Sequence, residues 1–257
     1  MKTLILGDLH GRLIWKDIIE KENPDRVIFL GDYTCPKEVH YEDPTDLCSL
    51  IYELLDYKDN NKDKVILLRG NHDLAVLGYS WAECFPKDHP KVEVYMRTND
   101  VKNWFLQNTQ WIYIIPRTNI VCSHAGIGKL FLDECVKRCS SEHKSTLKQI
   151  SEINSLMPSE LFGFTPYSLS DYNGISPTQP CTWIRPQTLF TCSVENITQV
   201  IGHTPVTYIC NIKDVISKHS SPEENKNYPD IWCCDCLDRG QYLIIEDNTF
   251  IPKTLEI

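Results

Sequence analysis

No apolar run in this 257-residue chain exceeds a few residues, whereas a membrane-spanning helix needs about 20. No transmembrane anchor is expected. Positive charge is also scarce: 26 Lys and Arg against 35 Asp and Glu give a formal net charge of −9. General nucleic-acid binding normally shows as a basic face, so it is not expected. The acidic balance does not argue against small phosphorylated substrates, because a bound metal reverses the local field. No repeat of fixed period is visible, which excludes solenoids and propellers. The N-terminus enters a strand pattern directly and lacks a signal-peptide layout. Twelve cysteines are present, but their spread is unlike a small secreted disulfide scaffold. The expectation is a cytoplasmic protein with free thiols. With 42% hydrophobic and 24% charged residues, the chain can bury a sizeable core.

What is present is a local grammar. Leu4-Ile5-Leu6, Val27-Ile28-Phe29-Leu30 and Val65-Ile66-Leu67-Leu68 are short apolar runs, as buried parallel strands are. Ile120-Val121-Cys122 and Val200-Ile201 are weaker copies. Each run breaks at once into polar residues: "GDLHG", "GDYT", "RGNHD", "SHAGI" and "GHTP". Helix-like stretches at 13–22 and 43–57 separate the first three runs. Strand-helix-strand alternation implies right-handed crossovers and a parallel sheet. Ligands of such sheets bind outside the carboxyl ends of the strands, so the polar clusters should converge on one edge.

Together the clusters supply Asp8, His10, Asp32, Asn71, His72, Asp73, His124 and His203. Four of the eight histidines directly follow strands. Carboxylates, an amide and imidazoles gathered at one edge form the ligand mixture of a divalent-metal site. The flanking glycines allow sharp turns and close passage of backbone past bound atoms.

In that order, from residue 7 to residue 204, these motifs resemble the calcineurin-like metallophosphoesterases. The branch most resembled holds the phosphoprotein phosphatases and symmetrical diadenosine tetraphosphatases. The resemblance implies an α/β fold, a four-layer α-β-β-α sandwich with two mixed sheets, formed by a single domain over 1–257. It implies two divalent metal ions. Asp8 and His10 would hold the first, Asp32 would bridge both, and Asn71, His124 and His203 would complete the second. A water bridging both ions would lose its proton near neutral pH and attack phosphorus in line. His72 would protonate the leaving alkoxide. Arg185, in "TWIRP", resembles the arginine that grips substrate phosphate, where a planar fork is suited to the task. Asn71 would also touch substrate. Ligands without thiolate favour manganese, with iron, zinc, nickel or cobalt as alternatives.

The chain departs from the phosphatase branch at its second motif. That branch continues Gly-Asp-Tyr-Val-Asp-Arg-Gly, whereas this chain reads "GDYTCPK". Cys35 and Pro36 replace an acid that orients the catalytic histidine and an arginine that clamps phosphate. Lys37 offers charge there but no fork. The final motif carries one histidine, and "WCCDCLDRGQYLII" resembles the family's closing turn and last strands.

Residues 129–157 read as one or two amphipathic helices, and 158–182 is rich in Pro, Ser and Tyr. With 79–98, the stretch 129–182 reads as a cap-like insertion that would shape substrate choice. Residues 217–230 read as a surface loop. Cys233, Cys234 and Cys236 lack the second tight pair a structural zinc needs. His40, His89, His143 and His219 lie in polar stretches and read as solvated.

The expected activity is hydrolysis of phosphomonoesters, phosphoprotein-phosphatase-like, on a phosphoprotein or nucleotide substrate. The alternatives are a nucleotide or dinucleoside-polyphosphate hydrolase and a phosphodiesterase. A catalytically dead scaffold is disfavoured because none of the expected ligands is missing.

Overall fold

The computed structural model describes residues 1–35, 44–79, 90–139, 142, 145–162, 173–217 and 228–256. Two compact units divide the chain: Met1–Gln110 with Cys236–Ile257, and Trp111–Asp235. In chain order the first strands are β1 (Thr3–Leu6), β2 (Arg26–Phe29), β3 (Val65–Leu68) and β4 (Thr109–Gln110). Then come β5 (Ile112–Ile114), β6 (Ile120–Ser123), β7 (Thr198–Ile201) and β8 (Cys210–Asn211). The last are β9 (Asp230–Cys233), β10 (Gln241–Glu246) and β11 (Thr249–Thr254).

The first unit carries a six-stranded sheet in the order β11-β10-β1-β2-β3-β4. As expected from the apolar runs, β1, β2 and β3 are parallel, and β4 continues them. Leu4, Leu6, Val27, Phe29, Val65 and Leu67 join one core cluster, while Ile5 and Ile28 on the opposite pleat are also fully buried. Burial on both faces is why these strands read as unbroken apolar runs. The helices are α1 (Trp15–Glu22), α2 (Pro44–Asn60), α3 (Asn71–Val76), α4 (Pro90–Arg97) and α5 (Asn99–Asn108). Ile18 of α1 and Ile51 and Leu54 of α2 fill the same cluster. Asn23 ends α1 in the left-handed region (φ 38°), its N–H bonded to the Ile19 carbonyl, a role asparagine takes at helix C-termini.

The sheet is mixed because β10 and β11 add to β1 antiparallel. They are joined by a two-residue turn, Asp247-Asn248, with φ 49° and 63°. Positive φ at both positions is the hairpin geometry that matches strand twist.

The second unit holds a five-stranded sheet in the order β5-β6-β7-β9-β8. The central β6, β7 and β9 run parallel, and β5 and β8 border them antiparallel. Its helices are α6 (Lys129–Arg138), α7 (Thr146–Glu152), α8 (Pro158–Phe162), α9 (Pro186–Cys192) and α10 (Ile212–Ser217). Ala125, Ile184, Leu189, Ile201, Ile231 and Cys233 pack into one core.

The stretch 129–157 forms α6 and α7 with a short 3-10 turn at Ile153–Ser155. Of the other expected insertion, α4 is seen, while 80–89 and 163–172 lie outside the described residues. So do His40, His89, His143, His219 and most of 217–230. Among the described residues no helix is long and apolar enough to cross a membrane.

Candidate metal centre

In the first unit the loops after β1 and β2 are laced together. The His10 N–H donates to the Asp32 carbonyl at 2.7 Å and the Gly11 N–H to the Tyr33 carbonyl at 3.1 Å. Both His10 (φ 44°) and Asp32 (φ 53°) occupy the left-handed region, a strained backbone for non-glycine residues that tends to sit at functional sites. The loop after β3 approaches equally closely. A Cβ on Gly70 would lie 2.1 Å from Asp32 Oδ1 and 2.4 Å from the Asp32 nitrogen, so only glycine fits beside this carboxylate.

Asp8, His10, Asp32 and Asn71 are all buried. His10 Nδ1 lies 2.8 Å from the Cys35 carbonyl and 3.1 Å from that of Thr34. Carbonyls only accept, so Nδ1 carries the proton and the lone pair of the neutral ring is on Nε2. Nε2 stands 3.9 Å from Asp8 Oδ2 and 3.8 Å from Asp32 Oδ2. Such a backbone hydrogen bond is how metal-binding histidines are oriented. Asp32 Oδ1 accepts the His72 N–H at 2.9 Å, and its Oδ2 lies 3.9 Å from His72 Nε2. The donor atoms of His10, Asp32 and His72 all fall within 4.8 Å of one another.

Asp73, whose role the sequence left open, is the structural centre of this unit's site. It is fully buried and accepts the N–H groups of Asp32 (2.9 Å), Tyr33 (2.9 Å) and Gly70 (3.0 Å). One carboxylate thus ties the β2 loop to the β3 loop. Burial, reinforced by the nearby Asp32 charge, raises its pKa to about 7 against the pull of those three donors. Asp8, Asp32 and Asp73 are therefore buried carboxylates within one unit. Burying anions is costly unless cations or hydrogen bonds compensate them. Hard oxygen donors beside an oriented imidazole fit a divalent metal ion.

In the second unit, His124 follows β6 and His203 follows β7. Both are buried, with ring centroids 5.1 Å apart, and His203 sits in the left-handed region (φ 66°). The Gly202 N–H donates to the His124 carbonyl at 2.8 Å, pinning one strand end to the next. A residue not singled out by sequence supports them. Gln199 of β7 is fully buried; its Oε1 accepts the Ile127 N–H (2.8 Å) and its Nε2 donates to the Ile127 carbonyl (3.1 Å). It thereby holds the loop after His124 as a strand neighbour would. Trp183 stands 5.5 Å from the His203 ring, and the Arg185 guanidinium lies 5.9 Å from the Trp183 ring centre. Arg185 Nη1 also donates to Thr204 Oγ1 at 3.2 Å. The "TWIRP" segment is therefore fixed beside His203, a cation over an aromatic face.

The expected site residues thus fall into two sets: Asp8, His10, Asp32, Asn71 and His72 in the first unit, His124, His203 and Arg185 in the second. His72, expected only as a proton donor, also lies among the donor atoms. Cys35 adopts φ 60° and supplies its carbonyl to His10, while Pro36 and Lys37 lie outside the described residues. Cys233, Cys234 and Cys236 are buried, and none joins a candidate metal group among the described residues.

The sequence matches the family profile described as calcineurin-like phosphoesterase over residues 1–234. No curated protein matches it. Among solved structures, a cold-active protein tyrosine phosphatase is similar in fold, with TM-score 0.56 and 15% identity, over 98% of this chain and 75% of that one. A protein serine/threonine phosphatase from Saccharomyces cerevisiae aligns with TM-score 0.56 and 13% identity, over 100% of this chain and 80% of that one. These identities speak for the fold; the profile, spanning residues 1–234 and all five strand-end motifs from "GDLHG" to "GHTP", speaks for the chemistry. The chain belongs to the calcineurin-like phosphoesterase family and is a metal-dependent phosphoester hydrolase.

Proposed function

We propose that this protein is a dinuclear phosphatase acting on phosphomonoesters, with manganese as its metal. In this reading Asp8, His10 and Asp32 hold one ion; Asp32, Asn71, His124 and His203 hold the other. The observation that carries it is the convergence of His10, Asp32 and His72 donor atoms within 4.8 Å, with the His10 lone pair directed to Nε2 by carbonyls at Nδ1. When bound, the ions would supply a hydrolytic nucleophile at neutral pH and neutralise phosphoryl charge.

The chain's own residues do the rest. Arg185, held by Trp183 and Thr204, presents its planar fork to two phosphoryl oxygens. Asn71 touches the same phosphate. His72, its backbone anchored on Asp32, gives a proton from its imidazole to the leaving-group oxygen. Residues 1–257 act as one catalytic domain, a reading supported by a family match that takes in both units. The cytoplasmic setting expected from the sequence stays part of this proposal.

The test is a manganese-loaded assay on p-nitrophenyl phosphate, bis-p-nitrophenyl phosphate and a dinucleoside polyphosphate, with elemental analysis. Monoester turnover with two metal equivalents is expected. Asp32→Asn should abolish turnover and lower metal content, because a shared anion lets two cations sit together. Two full equivalents with normal turnover in Asp32→Asn would sink the dinuclear reading, and preference for the diester or the dinucleotide would reassign the substrate.

A further inference from the structure

Beside the phosphate clamp in the second unit is an apolar groove that the phosphatase reading does not use. It has a volume of ≈ 390 Å³ and runs between α9 and α10 over the end of β9. Pro186, Phe190, Val206, Ile212 and Val215 make its walls, and Val215 is 42% exposed. Gln187 and Thr204 are its polar side chains, and Thr204 accepts the hydrogen bond from Arg185. Pro186 directly follows Arg185, and Thr204 directly follows His203. The groove thus borders Thr204, the residue that holds the guanidinium which the proposed function places on substrate phosphate.

We propose that this groove receives a bulky apolar side chain of a phosphopeptide, next to its phosphorylated residue. The proposal rests on the phosphatase reading and names its substrate class. Among the described residues lining the groove none carries a charge. The additional phosphates of a dinucleoside polyphosphate would find no cation there. A ribose or base would exchange water for a lining whose polar side chains are Gln187 and Thr204, and would leave most of its polar atoms unpaired, at a cost. The volume lies within the range of pockets that enclose small organic groups and suits one or two side chains better than a long acyl chain. An apolar residue entering it would gain binding in proportion to the area removed from water.

The test uses two phosphopeptides that differ only in carrying Leu or Ser next to the phosphoresidue. Binding to the metal-free protein is followed by chemical-shift titration, so the result does not depend on turnover. At least a tenfold tighter affinity is expected for the Leu peptide, with shifts at Ile212 and Val215. Val215→Glu, at an exposed position away from the metal donors, should keep the thermal midpoint and erase the preference. Val215→Ile should retain it. Equal affinities, no binding of either peptide, or an intact preference in Val215→Glu would overturn the proposal. Tighter binding of dodecyl phosphate would also overturn it in favour of lipid, and groove shifts on simple dilution would overturn it in favour of self-association. An inactive manganese-loaded enzyme that still discriminates the peptides would count against the phosphatase reading alone.

Discussion

The carboxylate of Asp73 receives the backbone N–H of Asp32 at 2.9 Å across 41 residues of chain. It thereby holds the expected bridging ligand in its left-handed conformation, while binding Tyr33 and Gly70 as well. An asparagine at 73 would turn one amide NH2 toward a backbone donor, and that donor would lose its partner. An unsatisfied buried donor costs about 1–3 kcal/mol. Asp73→Asn should therefore lower the urea-unfolding free energy of the metal-free protein by about that amount and weaken metal uptake. Unchanged values on both measurements would show that the tether is dispensable.

His72 Nε2 lies 3.9 Å from Asp32 Oδ2, among the candidate metal-donor atoms, and is the proposed proton donor. His72→Ala is expected to keep both metal equivalents and to lower kcat by about 10²–10⁴-fold, the usual worth of general acid catalysis. The loss should be smaller for p-nitrophenyl phosphate, whose leaving group scarcely needs a proton, than for an alkyl phosphate. Loss of one metal equivalent would instead make His72 a ligand.

Arg185 is the proposed main guanidinium clamp. A charged hydrogen bond is worth about 1.5–3 kcal/mol, so Arg185→Ala should reduce kcat/KM roughly ten- to hundredfold. Arg185→Lys should restore only part, because an ammonium keeps charge without the planar fork or the stacking on Trp183. Metal content should not change in either variant. A kcat/KM within about twofold of the parent for Arg185→Ala would move the clamp elsewhere, with Lys37 or Arg12 next to be replaced.

Glu22 supplies a pH dependence away from the metal donors. Burial by itself would raise its pKa, but hydrogen bonds from Lys2, Tyr242 and Lys253 prevail and lower it from 4.5 to about 2. A depressed carboxylate stabilises the fold fully above its unfolded pKa and loses that contribution as pH falls through the folded one. In metal-free protein, Glu22→Gln should therefore be less stable than the parent above pH 4.5. The gap should close progressively toward pH 2. Urea midpoints measured across that window check it; a gap independent of pH would mean that the charge of Glu22 contributes nothing.

The sequence by itself determined the parallel strands and the residues at their ends. Both are local properties: strands buried on two faces must be apolar throughout, and a strand end carrying "GDLHG" or "RGNHD" displays its chemistry without reference to the rest of the chain. Helices expected at 13–22 and 43–57 were found at Trp15–Glu22 and Pro44–Asn60 for the same reason. The supports of the site were decided only in three dimensions. Gln199 and Asp73 are ordinary polar residues in sequence; their roles depend on Ile127, 72 positions away, and on Asp32 and Tyr33, 41 and 40 positions away. The protonated nitrogen of His10 was equally illegible, since it is set by the carbonyls of Thr34 and Cys35. The mixed sheets were implied only by the family resemblance; the residues themselves did not show that β5, β8 and β10 run antiparallel. A strand's direction follows from the neighbour it pairs with, and side-chain alternation is the same whichever way that neighbour runs.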